Sequence, residues 1–161
     1  MTITKTASAV LDASPDAVFG TLTDIPRLPA WNDAIVKVVE PLAALESGAE
    51  WLVEVHALGQ SWTSRSRITD VDAAQRRFSY RSCTDDGNPS YALWTWTVDP
   101  HPDGSHVTVT MELNPITFWR RVLLARIRAR QVGRTELPRS LRALEEAARA
   151  GNYRSSDQSN S

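Results

Sequence analysis

The sequence contains one cysteine, Cys83, and only three histidines in 161 residues. A single cysteine excludes an internal disulfide framework. The histidines, His56, His101 and His106, are scattered along the chain, and nothing accompanies Cys83 at metal-ligand spacing. There is no Gly-rich phosphate loop and no Gly-x-Ser-x-Gly elbow. We therefore expect no metal and no cofactor, and we interpret Cys83 as a small buried or half-buried side chain rather than a reactive thiol.

Long apolar segments are absent as well, since no run approaches the roughly 18 to 20 residues that a membrane span needs. The first residues, Met1 to Lys5, lead into a strand pattern without the apolar segment of a signal peptide. The composition, with 42% hydrophobic and 23% charged residues, is that of a globular protein. These features predict a cytoplasmic protein with one domain over residues 1–150, long enough to leave room for an internal cavity, and a disordered polar tail over 151–161.

The charged residues are divided unevenly along the chain. Residues 1–115 carry 8 Lys or Arg against 15 Asp or Glu, whereas residues 116–154 carry 10 Arg against 3 Glu. One interpretation is that the arginines form a solvated helix face that pairs with acidic strand edges. The alternative is contact with anionic lipid head groups or nucleic acid. Because the arginines between positions 120 and 134 point in several directions around a helix, we expect no nucleic-acid partner and keep weak contact with an anionic membrane surface as the alternative.

One long amphipathic helix is predicted from Pro115 to Gly151. Its apolar stripe recurs every three or four residues and includes Trp119, Leu123, Ile127, Leu137, Leu141 and Leu144. Pro138 lacks the N–H that a helix interior requires, so we expect a break between Gly133 and Pro138. The half before the break should cover a cavity, and the leucines of the second half should pack as core.

Two short helices are predicted near the start of the chain. Ser14 is placed as an N-cap, with Pro15 at the first helical position and Asp16 in the first turn. Asp24 is placed to cap a second short helix that ends at Trp31. Trp31 is interpreted as core packing, with a position at the mouth of a pocket as the alternative.

Alternation of polar and apolar side chains predicts seven strands. They run over Ile3 to Leu11, Ile35 to Val39, Glu50 to Leu58, Trp62 to Val71, Arg77 to Thr84, Tyr91 to Val98 and His106 to Leu113. A sheet with one apolar face needs a cover, and only one long helix is available. The pattern therefore predicts an α+β fold in which the helix lies across an antiparallel sheet.

Five segments of the chain carry motifs that occur in this order in one known superfamily. They are Ala13 to Phe19, Leu22 to Asp24, Leu28 to Asn32, Asp103 to Thr110 and Leu137 to Leu144. The first three resemble the opening of proteins in the polyketide cyclase/dehydrase branch of the START-like (SRPBCC) superfamily. The fourth resembles their penultimate turn and last strand, and the fifth their closing helix. The resemblance therefore implies a single START-like ligand-binding domain. The resemblance implies a helix-grip fold, in which a seven-stranded curved antiparallel sheet wraps around a long C-terminal helix and encloses a hydrophobic cavity. Members of the superfamily bind lipids, polyketides, quinones and other apolar molecules, and some are enzymes.

Strand alternation and the helix face select the candidate lining of such a cavity. The predicted ligand-binding residues are Trp51, Val53, Val55, Phe78, Tyr80, Trp94, Trp96, Val109, Met111, Trp119, Val122 and Leu123. Our first hypothesis is a binding protein for a hydrophobic small molecule such as a lipid, polyketide or quinone. The second is a polyketide aromatase/cyclase or dehydratase acting in the same cavity, and the third is a carrier of lipids or quinones that docks on membranes.

No catalytic residue is assigned from the sequence. Glu54 and His56 share one strand face, and Arg65 and Tyr80 lie on neighbouring strands. If the Glu54 and His56 face pointed inward, these groups could transfer protons on a ketone substrate. We favour the outward orientation, because charged groups inside an apolar cavity are costly to desolvate. Exposed apolar residues expected on the outer face, such as Leu52 and Leu58, are too few to decide between a monomer and a dimer.

Overall fold

The computed structural model describes residues 2–57, 59–85, 90–114, 130, 134 and 137–158. Side chains are described as far as residue 150, and only the backbone is described from there to residue 158. Within these residues, seven strands form one antiparallel sheet in the order β1-β7-β6-β5-β4-β3-β2. The strands are β1 (Ile3–Leu11), β2 (Ile35–Glu40), β3 (Glu50–Ala57), β4 (Gln60–Asp72), β5 (Arg77–Thr84), β6 (Tyr91–His101) and β7 (Gly104–Asn114). The helices are α1 (Pro15–Thr23), α2 (Leu28–Trp31), which follows a 3-10 turn at Ile25–Arg27, and α3 (Leu137–Gln158). The α+β helix-grip architecture, with its curved sheet and two short helices after the first strand, is confirmed.

The start of α1 follows from its capping residues. The Ser14 hydroxyl accepts a hydrogen bond from the backbone N–H of Ala17 at 3.2 Å, and Asp16 lies in the first turn. The prediction that Asp24 caps the next helix is wrong, because its side chain makes no capping hydrogen bond. The Asp24 backbone, at φ −79° and ψ 79°, departs from the extended conformation of an N-cap, and its carboxylate pairs with Arg27 at 3.3 Å.

The two faces of the sheet have opposite characters. The concave inner face carries Trp51 on β3, Ile68 on β4, Phe78 on β5, Trp96 on β6 and Val107 on β7, each no more than 2% exposed. The outer face carries ion pairs that link side chains of different strands and of the turn after β5. They join Lys37 to Glu54 at 3.3 Å, Arg65 to Glu40 and to Asp85 at 3.1 Å each, and Arg77 to Asp70 at 2.6 Å. The helices therefore cover the inner face and leave the charged face to solvent.

One apolar side chain on the outer face departs from expectation. Leu52 is only 7% exposed, so the prediction that it is an exposed apolar residue is wrong. It lies between Glu40 on β2 and Arg65 on β4, and both long side chains reach over the strand between them to form an ion pair. Leu58 lies outside the described residues.

The second half of the long helix is core, as its stripe predicts. Leu137, Leu141 and Leu144 of α3 are 0 to 3% exposed, and α3 packs on α1, α2 and β1. The first half of the predicted helix, and most of the predicted break, lie outside the described residues.

The helix end was predicted too early. The structure continues α3 to Gln158 through Gly151. Glycine lowers helix stability by only about 1 kcal/mol relative to alanine, so it permits a helix to continue where neighbouring residues favour it. The division of the chain at residue 150 into a domain and a disordered tail stays a prediction.

Two arginines of α3 pair with acidic residues of the preceding part of the chain. Arg139 lies 3.5 Å from Asp33, and Arg149 lies 3.8 Å from Asp12. These side chains are mostly exposed, so each pair contributes about 1 kcal/mol or less. For these two residues the pairing agrees with a solvated helix face that contacts acidic neighbours. No helix in the described part of the chain is long and apolar enough to cross a membrane.

Candidate ligand-binding pocket

A cavity of about 250 Å³ lies between the inner face of the sheet and helices α2 and α3. Its aromatic and aliphatic lining consists of Leu28, Ala34, Ile35, Trp51, Val53, Val55, Trp62, Tyr80, Tyr91, Ala92, Trp94, Trp96, Met111, Leu113 and Leu137. Polar lining residues are Asn32, Ser64, Ser66, Ser82, Cys83, Thr84, Ser90 and Ser140. Among these residues there is no Asp, Glu, Lys, Arg or His. The described wall is therefore apolar, with hydroxyl groups as its main polar element.

Seven of the predicted lining residues lie in the wall of this cavity. They are Trp51, Val53, Val55, Tyr80, Trp94, Trp96 and Met111. Three others, Trp119, Val122 and Leu123, lie outside the described residues. That any of these side chains contacts a ligand stays a prediction.

Phe78 and Val109 were predicted to line the cavity and do not. Both are on the inner face but completely packed, with 1% and 0% of their surface exposed. Phe78 stacks on Trp51 at 6.1 Å between ring centroids. Both residues face Trp96 across the sheet. Alternation assigned the face correctly, but it does not reveal where along a strand the cavity ends.

Tyr80 lies at the centre of an aromatic cluster in the wall. Its ring centroid is 4.9 Å from that of Trp51, edge to face, and 6.3 Å from that of Trp94, nearly parallel. Trp96 continues this wall and meets Trp31 edge to face at 5.8 Å. Trp31 is 2% exposed and is absent from the lining, so its interpretation as core packing agrees with its position. Such contacts hold each ring in one orientation, which makes the aromatic wall preformed.

The indole N–H groups of Trp31 and Trp96 differ from that of Trp94 in their hydrogen bonding. Trp94 Nε1 donates to the Ser82 hydroxyl at 3.1 Å. Within the described chain, Nε1 of Trp31 and of Trp96 are buried without an acceptor in hydrogen-bond geometry. Trp96 Nε1 nevertheless lies close enough to the phenolic oxygen of Tyr80 to influence its ionisation.

Burial raises the pKa of Tyr80 to about 12, and the nearby Trp96 indole offsets part of that rise. The cause is the loss of water around the phenolate, which the apolar wall cannot replace. Tyr80 therefore stays protonated at neutral pH. It can donate a hydrogen bond into the pocket but is a poor general base.

This raised pKa predicts a stability loss at alkaline pH. The unfolded phenol ionises near pH 10, so the contribution of Tyr80 is fully present below pH 10 and is lost as the pH rises through about 12. We expect the free energy of unfolding of wild type, relative to Tyr80→Phe, to fall by about 2 kcal/mol between pH 9 and pH 12. Urea unfolding of both proteins across this range measures it. A difference that stays constant to pH 12 would show that the phenolate is well solvated in the folded protein.

The acid and base candidates on β3 and β4 lie outside the pocket. Glu54 pairs with Lys37 at 3.3 Å, and exposed His56 contacts the Ser61 hydroxyl through Nδ1 at 2.8 Å. Arg65 is held between Glu40 and Asp85, and these carboxylates raise the pKa of its guanidinium. These groups therefore form the solvated face that the desolvation argument favours.

Cys83 is half-buried and contributes to the lining, with Sγ 3.8 Å from the backbone oxygen of Arg65. In the described part of the chain, no group of three His, Cys, Asp or Glu side chains is arranged to hold a metal ion.

Sequence reasoning missed the serines of β4. Ser64 and Ser66 line the pocket but are not among the lining residues predicted from the sequence. The signal was present, because Trp62 and Ile68 have the same parity as the two serines and are apolar. Residues flanked in this way on one face of a strand point inward with their apolar neighbours.

A curved antiparallel sheet that holds an apolar pocket against helices places the protein among the helix-grip folds. The family model for polyketide cyclase / dehydrase and lipid transport matches residues 2–149. The chain belongs to this family, a branch of the START-like superfamily. No curated protein matches it.

Solved structures with the same fold come from distant organisms. Zhui aromatase/cyclase from Streptomyces sp. R1128 is 18% identical, with a TM-score of 0.69 over 96% of this chain and 95% of that one. The protein TTHA0849 from Thermus thermophilus is 19% identical, with a TM-score of 0.71 over 92% and 99%. Ginseng major latex-like protein 151 from Panax ginseng is 12% identical, with a TM-score of 0.67 over 91% and 97%. At these identities the likeness concerns the fold alone.

Proposed function

We propose that this protein binds an uncharged or weakly polar hydrophobic small molecule in the pocket between sheet and helices. The observation that carries the proposal is a cavity of about 250 Å³ with a rigid aromatic wall and no charged side chain among its described lining residues. Sites of this kind, apolar with a few placed polar groups, are typical of small-molecule binding. The family description, which names both polyketide cyclases and lipid transport, is consistent with such a ligand.

The size of the cavity limits the affinity that apolar burial alone supplies. A ligand about as large as an aromatic side chain buries roughly 150 to 250 Å². At about 25 cal/mol per Å², this gives about 4 to 6 kcal/mol, or a Kd of roughly 1 mM to 50 µM before other costs. Tighter binding therefore requires hydrogen bonds to the polar lining residues.

Catalysis in the same pocket, as in an aromatase/cyclase, is less well supported. Of the acid and base candidates, Glu54, His56 and Arg65 lie on the outer face, and only Tyr80 lines the cavity. Tyr80 remains protonated at neutral pH because burial raises its pKa. It is therefore suited to orienting a ligand oxygen by donating a hydrogen bond. Binding without proton transfer is the function that the described residues favour.

Transport by docking on a membrane has no specific support from the described residues. The two helix arginines whose contacts are described pair with Asp33 and Asp12. Most of the arginine-rich segment lies outside the described part of the chain. Membrane contact and a cytoplasmic location stay predictions.

Mass spectrometry under non-denaturing conditions tests the proposal on the protein as purified. We expect a complex heavier than the chain by the mass of one small organic molecule, and release of that molecule after denaturation. If the ligand is lost during purification, the same measurement is repeated after naphthalene has been added as a substitute ligand. A chain that carries nothing and takes up no apolar compound would contradict the proposal.

A further inference from the structure

Four hydroxyl side chains occupy neighbouring positions on the floor of the pocket. Ser64 and Ser66 lie on β4, and the register places Thr84 opposite Ser64 and Ser82 opposite Ser66. Side chains paired in this way across antiparallel strands have their Cβ atoms about 4.5 to 5.5 Å apart. All four line the cavity, and we refer to them as the hydroxyl quartet.

The hydroxyl quartet is enclosed by apolar side chains. On β3, Val53 faces Ser64 and Trp51 faces Ser66, and on β6, Ala92 faces Ser82. Ser64 and Ser66 are 9% and 3% exposed. The quartet is therefore a polar island on an apolar wall.

The hydrogen bonds made by these hydroxyls leave capacity for a ligand. Ser82 accepts from Trp94 Nε1 at 3.1 Å and keeps its own proton to donate. Among the described residues, no hydrogen-bond partner is found for the Ser64 or Ser66 side chain, and neither hydroxyl oxygen is sealed from the cavity. Burying a hydroxyl without a partner is unfavourable, so these two serines favour a hydrogen-bonding partner inside the pocket, which water supplies in the empty pocket and a polar ligand atom in the occupied one.

We propose that the hydroxyl quartet is the specificity-determining subsite of the pocket, and that it recognises an oxygen atom on the edge of a flat, uncharged ring compound. This proposal rests on the proposed function. A serine hydroxyl both donates and accepts, so a ligand hydroxyl or carbonyl is suitable, while the rings lie against the aromatic wall formed around Tyr80. A carboxylate is disfavoured, because no described lining residue supplies a positive charge to replace its water.

Calorimetric titration with naphthalene, 2-naphthol and 2-naphthoate tests the proposal. The variants are Ser64→Ala combined with Ser66→Ala, and Ser79→Ala as the matched control. Ser79 is a serine of the same sheet with the same 9% exposure as Ser64, but it lies on the outer face and donates to Thr95 at 2.9 Å. Unchanged binding of naphthalene shows that the pocket of each variant is intact.

We expect the preference for 2-naphthol over naphthalene, the ratio of their Kd values, to fall about 2-fold to 10-fold in the double variant. The same ratio should be unchanged in Ser79→Ala. Wild type should bind 2-naphthol more tightly than 2-naphthoate.

Three results overturn the proposal, and they do so at different levels. An unchanged ratio in the double variant, or an equal fall in Ser79→Ala, removes the quartet from recognition while leaving the binding function standing. Tighter binding of 2-naphthoate refutes the uncharged ligand class. Failure of all three compounds to bind wild type contradicts the proposed function itself.

Discussion

Replacing Gly104 by alanine is expected to destabilise the fold by about 4 kcal/mol, the largest effect of a single methyl group that we anticipate in this protein. Gly104 begins β7 with a φ of 133°, a conformation that strains any other residue. A Cβ at this position would also collide with the carbonyl oxygen of Leu11 and lie 3.0 Å from the backbone N and O of Ala13. Ser105 holds that segment in place by donating to the Ala13 oxygen at 2.6 Å, so the backbone cannot easily move away.

Gly20→Ala is the matched control for this experiment. Gly20 is an exposed residue of α1, and an added Cβ meets nothing within 4 Å. Because alanine favours helix over glycine, we expect a gain of about 0.5 to 1 kcal/mol. Urea unfolding of both variants measures the free energies. A loss below about 1 kcal/mol for Gly104→Ala would show that the junction of β1, α1 and β7 is looser than described.

Filling the pocket is expected to remove ligand binding without removing the fold. Ala92 is half-buried and lines the cavity between Ser82 on β5 and Leu113 on β7. In Ala92→Phe, the new ring would occupy space that a ligand needs. The lost contact area corresponds to about 3 kcal/mol, so the affinity for 2-naphthol should fall about 100-fold or more. The melting temperature should be unchanged or higher, because the ring fills an existing cavity rather than overpacking the core.

Leu93→Phe is the control for Ala92→Phe. Leu93 is the next residue along β6, and its side chain points to the opposite face of the sheet. It should bind 2-naphthol as wild type does. Calorimetric titration of the two variants, with thermal unfolding of each, provides the comparison. Retention of wild-type affinity by Ala92→Phe would place the binding site elsewhere on the molecule.

Much of the architecture was predictable because strand alternation and capping are local signals. The predicted spans Ile3 to Leu11 and Arg77 to Thr84 agree with β1 and β5 at both ends. Ser14 caps α1 through its neighbours in sequence. The buried leucines of α3 follow from helical spacing alone. These features depend on residues only a few positions apart, so the local sequence is sufficient to predict them.

The position and chemistry of the pocket depended on packing between distant segments. Phe78 and Tyr80 have the same parity on β5, yet Phe78 is packed core and only Tyr80 lines the cavity. The difference arises from the positions at which the helices pack against the sheet. The alternation of polar and apolar residues along a strand carries no information about those positions. Ser64 and Ser66 were overlooked for a related reason, since serine has no preference for either face until its apolar neighbours are considered.

An NMR titration of the indole N–H signals with 2-naphthol tests the central claim most directly. The chain has six tryptophans, and Trp51, Trp62, Trp94 and Trp96 line the pocket. Binding in the pocket predicts saturable shifts of these four signals, with one ligand bound per chain. If those signals stay in place at ligand concentrations where other amides shift, the aromatic pocket is not the binding site and the account is contradicted.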